Sequence, residues 1–104
     1  MAAVELTRWP HDEPPTRSQL DAILRQEKLS PNWWSNGPGD RYSAHSHTYS
    51  KVLFCADGSI TFRIEPDGAD HTLQPGDRLD IPRGISHSAV VGPRGVMCVE
   101  AQAR

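Results

Sequence analysis

The feature that most limits how this chain can fold is the regular spacing of its turn formers. Clusters of Gly and Pro stand at 37–39, 58, 66–68, 75–76, 82–84 and 92–95. Gly opens backbone conformations that other residues avoid, and Pro removes a backbone donor, so each cluster interrupts a helix or a ladder. Only short segments remain between them, which suits strands. With 8 Gly and 9 Pro in 104 residues, the second half of the chain predicts an all-β sandwich or barrel. A chain of this length supports one hydrophobic core. It is too short for a TIM barrel, which takes about 250 residues, or for a separate cofactor domain.

The segments between the turns have strand character. Residues 41–55 alternate in part and carry Tyr42, Val52, Leu53 and Phe54. Asp57-Gly58 is a hairpin signal that predicts Ile60–Ile64 as the returning strand. A turn at Pro66-Asp67-Gly68 leads to a short strand at His71–Leu73, closed by Gln74–Asp77. Leu79–Ile81 is the next, stopped by Pro82–Gly84. Ser86–Val91 and Val96–Ala101 follow as two strands separated by Gly92–Gly95. One helix is expected at about 16–30, where Thr16 and Gln19 make a capping-box pattern. Leu20, Ile23, Leu24 and Leu29 supply its apolar stripe, and Pro31 ends it. The expected organisation is an N-terminal segment over 1–36, its helix packed on the barrel, and a β-barrel over 37–104. Val4–Leu6 is a candidate edge strand.

Charge and composition narrow the partners. The chain has 11 basic and 13 acidic side chains and no basic run, so no nucleic-acid partner is expected. No apolar stretch reaches 18 residues and the start of the chain lacks a secretory pattern, so no membrane partner and a cytoplasmic location are expected. Cys55 and Cys98 lie far apart in sequence and are expected as buried, reduced thiols. Only two lysines occur, Lys28 and Lys51.

Five histidines carry the chemistry to be sorted: His11, His45, His47, His71 and His87. His45 and His47 form an H-x-H pair on a predicted strand, whose period of two puts both on one face. Two imidazoles so placed can hold one metal ion. Outward from the pair the chain reads Gly39, five residues, His45-Ser46-His47, three residues, Lys51, six residues, Gly58. Later it reads Gly76, five residues, Pro82-Arg83-Gly84, two residues, His87, three residues, Val91. These two stretches resemble the paired motifs of the cupin family. All the glycines, the proline and the three histidines match at the family's spacing, over about half of the chain. Lys51 stands where the family keeps a Glu ligand, and Val91 where it keeps an Asn.

The resemblance implies a cupin-type double-stranded β-helix, or jelly-roll barrel, with one N-terminal helix. It implies a divalent transition metal (Fe, Zn, Ni, Mn or Cu) held by His45, His47 and His87, and a homodimer. His11 and His71 fall outside the motifs and are expected on the surface or in loops. The phase of the strand extends the inward face to Tyr49 and Lys51, with Leu53 and Cys55 deeper. An ammonium beside a metal ion is unfavourable, so Lys51 has three outcomes. It loses its proton, pairs with a carboxylate, or meets an anionic ligand shared with the metal. The last is the leading expectation. Trp33 and Trp34 are expected to pack the helix on the sheet.

Three functions follow from the resemblance. The first is a metal-dependent, dioxygenase-type enzyme on a small anionic substrate, with Lys51 and Tyr49 as substrate contacts. The second is a ligand-binding or sensor module without turnover. The third is a metal-free sugar isomerase or epimerase with His45 or His87 as base.

Overall fold

Two strands far longer than the turn spacing predicts organise the molecule. The computed structural model describes residues 3–65 and 67–103. In chain order it contains β1 (Glu5–Thr7), α1 (Arg17–Gln26), β2 (Asn32–Asn36), β3 (Arg41–His45), β4 (Ser50–Ile64), β5 (Ala69–Leu73), β6 (Arg78–Ile81) and β7 (His87–Ala103). β4 has 15 residues and β7 has 17, and they pair antiparallel from Ser50↔Ala103 to Ile64↔His87.

The hairpin expected at Asp57-Gly58 and the break expected at Gly92–Gly95 are therefore both corrected. The chain does not reverse at Asp57-Gly58; it bends. A two-residue type I′ turn needs positive φ at both central residues. Here Gly58 has φ 75°, whereas Lys28 is the only non-Gly with positive φ among the described residues. The register instead slips: β4 advances from Gly58 to Ile60 while β7 runs from Val96 back to Val91. Residues 92–95 of β7 stand opposite the single Ser59 of β4, a bulge that folds both strands at the same level. A Cβ on Gly58 would lie 2.0 Å from the Gly95 carbonyl oxygen, so the bend also needs this close approach. Pro66, the first residue of the next expected turn, lies outside the described residues.

The bend divides one antiparallel sheet into two facing halves. The first half of β4 pairs with β6 and the end of β7, and carries β1 and β2 at its flanks. The second half pairs with β5 and the start of β7, and carries β3. Leu53, Cys55, Leu79 and Ile81 from one half meet Ile60, Phe62, Leu73, Ala89 and Val91 from the other in a shared core. Cys55 and Cys98 are buried free thiols directly opposite each other. β1 confirms the expected N-terminal edge strand, and β2 adds a second strand ahead of residue 37.

The alternate residues of β4 face outward. Val52 and Phe54, with Val99 and Ala101, meet Leu20 and Leu24 of α1. Burying each of those leucines contributes roughly 1.5–3 kcal/mol, and both are completely buried. The helix begins as expected: Thr16 Oγ1 accepts from the Gln19 amide, and the Gln19 side chain accepts from the Thr16 amide. It ends at Gln26 rather than near residue 30, because Lys28 takes φ 63° and the Leu29 amide closes back on the Leu24 carbonyl. Leu29 still packs against the same cluster, outside the helix. Among the described residues, no helix is long and apolar enough to cross a membrane.

Candidate metal centre

The site is built where the two motif stretches meet. Gly39 and Asp40 exchange backbone bonds with Val91, Gly39 donating to its carbonyl (3.1 Å) and Asp40 accepting from its amide (2.8 Å). That contact docks the start of β3 on β7 and sets His45 directly opposite His87. His47 is not on the strand. It sits in the connection between β3 and β4, so the period-two argument does not cover it or Tyr49. The Gly84 amide places it instead, donating to the His47 carbonyl at 2.8 Å and tying the connection to the Pro82–Gly84 turn.

Three imidazoles converge as a result. Ring centroids lie 4.8 Å apart for His45 and His47, 4.5 Å for His45 and His87, and 5.3 Å for His47 and His87. One ligand nitrogen from each lies within 4.8 Å of the others. His87 is buried, His47 half-buried and His45 exposed, so the cluster opens on one side.

The hydrogen bonds test whether this trio suits a metal. His45 Nδ1 lies 2.8 Å from the Ser43 carbonyl, and His87 Nδ1 lies 3.0 Å from the Ile85 carbonyl. A carbonyl only accepts, so each Nδ1 carries the proton and each Nε2 keeps a lone pair. Nε2 of His47 and Nε2 of His87 are buried without any partner among the described residues. Buried polar atoms left unpaired are costly, and a metal ion satisfies both. Burial, reinforced by Lys51 and His45, pushes His47 below the ordinary histidine value. Burial does the same to His87, opposed by its bond to Ile85. Neutral imidazole is the ligating form, so the residues fit a divalent ion.

A cavity of about 250 Å³ adjoins the cluster, with His45 and His87 in its lining. Trp34, Tyr42 and Phe62 form aromatic walls, and Lys51 and Glu100 supply the charges. Its size lies just under the usual range of small-molecule sites, about 300–1,000 Å³. Lys51 is paired: its Nζ lies 3.3 Å from Glu100 Oε1. Of the three outcomes open to Lys51, the structure contains the carboxylate pairing. Glu100 also accepts from Trp34 Nε1 at 2.8 Å.

Other expectations divide. Leu53 and Cys55 lie deep in the core as expected. Tyr49 does not line this cavity; it stacks on His47, with centroids 4.8 Å apart and ring planes at 29°. Trp33 packs toward the helix, donating to Asp21 at 2.9 Å. Trp34 turns the other way, into the cavity, because successive residues of β2 face opposite sides. His11 is exposed, and His71 sits half-buried on β5, in the short strand expected at His71–Leu73 and away from the cluster. Glu100 is the site residue that sequence reasoning missed. Its one signal is its position in β7, an acidic residue between the buried Val99 and Ala101.

No family model matches the chain, and no curated protein matches it. Solved structures do. An RmlC-like cupin from Shewanella frigidimarina superposes with TM-score 0.62 at 24% identity, covering 71% of this chain and 64% of its own. A protein with a double-stranded β-helix domain from Klebsiella pneumoniae gives TM-score 0.62 at 22% identity, covering 72% of this chain and 66% of its own. A DMSP lyase, DddQ, from Ruegeria pomeroyi gives 0.66 at 24% identity, covering 73% of this chain and 38% of its own. The chain thus spans just under two thirds of the first two and little more than a third of the lyase. At these identities the likeness speaks to architecture, and with the strand pairing above it shows that this chain has the cupin fold, a double-stranded β-helix, its three motif histidines gathered at one site.

Proposed function

We propose that the chain is a metal-dependent cupin that acts on a small anionic molecule, with dioxygenase-type chemistry at a divalent transition metal held by His45, His47 and His87. The observation that carries this reading is the pair of buried, unpartnered Nε2 atoms on His47 and His87. Three neutral imidazoles leave a divalent ion its full charge, which favours an anionic ligand on the open side. Such an ion would supply Lewis acidity and, as iron, oxygen activation. The chain's own residues do the rest. The Ser43 and Ile85 carbonyls fix the tautomers of His45 and His87. Trp34, Tyr42 and Phe62 wall the cavity with apolar surface, and Lys51 and Glu100 offer polar contacts to the ligand.

The test is to load the purified protein anaerobically with Fe(II), measure metal per chain, and follow oxygen uptake with a panel of small carboxylic acids and thiols. One ion per chain, lost in His45→Ala, together with uptake on at least one acid or thiol, is the expected result. Failure to retain any metal overturns the reading. Retained metal and a bound acid with no product removes the enzyme and leaves a sensor. Because one structural neighbour is a lyase, product formed without oxygen identifies a non-oxidative cleavage as the reaction.

A further inference from the structure

The cavity holds an ion pair, Lys51 with Glu100, and that pair narrows the ligand. Lys51 and Glu100 cancel each other's charge, so neither neutralises a metal ion at the histidines. The anionic group of a ligand therefore belongs on the metal. What the pair offers is polar complementarity. Glu100 Oε1 is occupied by Trp34 Nε1 at 2.8 Å and by Lys51 Nζ at 3.3 Å. Among the described residues Oε2 has no protein donor, and the Lys51 ammonium has no second partner. The pair thus shows the cavity both an acceptor and a donor. Its side chains are only 12% and 20% exposed, so water serves these groups poorly once a ligand covers them.

An alkyl tail laid against them leaves Oε2 and the remaining ammonium N–H groups without partners, which a site built for polar contact rejects. A second carboxylate finds Lys51 but meets Glu100 as a like charge, and an ammonium finds Glu100 but meets Lys51 as one. An uncharged hydroxyl gives Oε2 the donor it lacks and offers the ammonium an acceptor. We infer that Lys51 and Glu100 select, as ligand of this site, a small organic acid that carries a hydroxyl group besides its metal-binding carboxylate. The inference rests on the metal centre proposed above.

Four acids of matched length test it: butyrate, γ-hydroxybutyrate, γ-aminobutyrate and succinate. Their binding to the Zn(II)-loaded protein is measured by calorimetry, after metal content has been determined. The hydroxy acid is expected to bind about tenfold tighter than butyrate, the scale of one partly desolvated hydrogen bond, and tighter than either the amino acid or succinate. Glu100→Gln, close in shape, is expected to narrow the gap between succinate and the hydroxy acid, because the like charge is gone. Equal affinity for all four acids on metal-loaded wild-type protein overturns the inference and leaves the metal centre standing. Failure to hold Zn(II) overturns the metal centre and the inference with it. The wild-type ranking decides the matter even if the variant does not fold.

Discussion

Replacing Lys51 by Glu restores the carboxylate at the motif position and sets it against Glu100. Its consequences can be worked from one distance. Nζ and Oε1 lie 3.3 Å apart with both side chains largely buried. At an effective dielectric near 20, unit charges at that separation attract by roughly 5 kcal/mol. Desolvation offsets part of this, and breaking a buried pair costs about 3–5 kcal/mol. In Lys51→Glu the attraction becomes repulsion, limited by one carboxyl taking up a proton. The metal-free variant is therefore expected to lose about 3 kcal/mol. For a domain of this size each kcal/mol lowers the melting temperature by about 4–8 °C, a fall of about 12–24 °C. Metal reverses the sign. A carboxylate replaces an ammonium beside a divalent ion, so Zn(II) affinity should rise at least about tenfold, and saturating metal should restore several kcal/mol. Thermal scans with and without Zn(II), plus competition against a chromophoric chelator, measure both effects. Lys51→Met serves as control, losing apo stability while gaining less metal affinity than Lys51→Glu, because it supplies no ligand. Unchanged affinity in Lys51→Glu would refute the reasoning, since residue 51 would then not face the ion. An unchanged apo melting temperature would refute the energetic role of the pair.

Three further outcomes are expected. Tyr49→Ala should weaken metal affinity about tenfold, the scale of a lost outer-shell partner, because its ring stacks on His47, while Tyr49→Phe should retain it; chelator competition reads the difference. Gly58→Ala should destabilise by about 3 kcal/mol or more, visible in urea unfolding, because its Cβ would stand 2.0 Å from the Gly95 carbonyl oxygen at φ 75°. In the metal-free protein, stability should fall as pH drops below the ordinary histidine value of 6.5. His47 and His87 resist protonation when folded, so the unfolded chain binds more protons in that window and stability rises with pH there. A melting temperature flat between pH 7.5 and 5.5, or a slope unchanged in the double variant His47→Gln/His87→Gln, would contradict this.

Much of the centre was legible because its information is local. The glycines and Pro82 act through their own dihedrals, and the spacing of His45, His47 and His87 survives any detail of pairing. The capping box at Thr16 and Gln19 is equally local and appears as read. Misreadings arose where a local signal has two tertiary uses. Asp57-Gly58 permits a hairpin or a bend, and the choice belongs to β7, whose extra residues 92–95 keep the two strands paired through the bend. The H-x-H pair joins His87 through a geometry other than strand phase, since His47 leaves the strand and is held by Gly84.

By itself, then, the sequence determined an all-β cupin architecture with one capped helix, and the trio of histidines that the architecture gathers. Turn chemistry and hydrophobic alternation are written residue by residue, so no distant contact is needed to read them. Only the tertiary structure decided that β4 and β7 are single bent strands, that Tyr49 supports His47, and that Lys51 faces Glu100 rather than standing alone. Lys51 and Glu100 are 49 residues apart in the chain. Their meeting depends on the register of two long strands, a cooperative property of the whole sheet that no short stretch of sequence encodes.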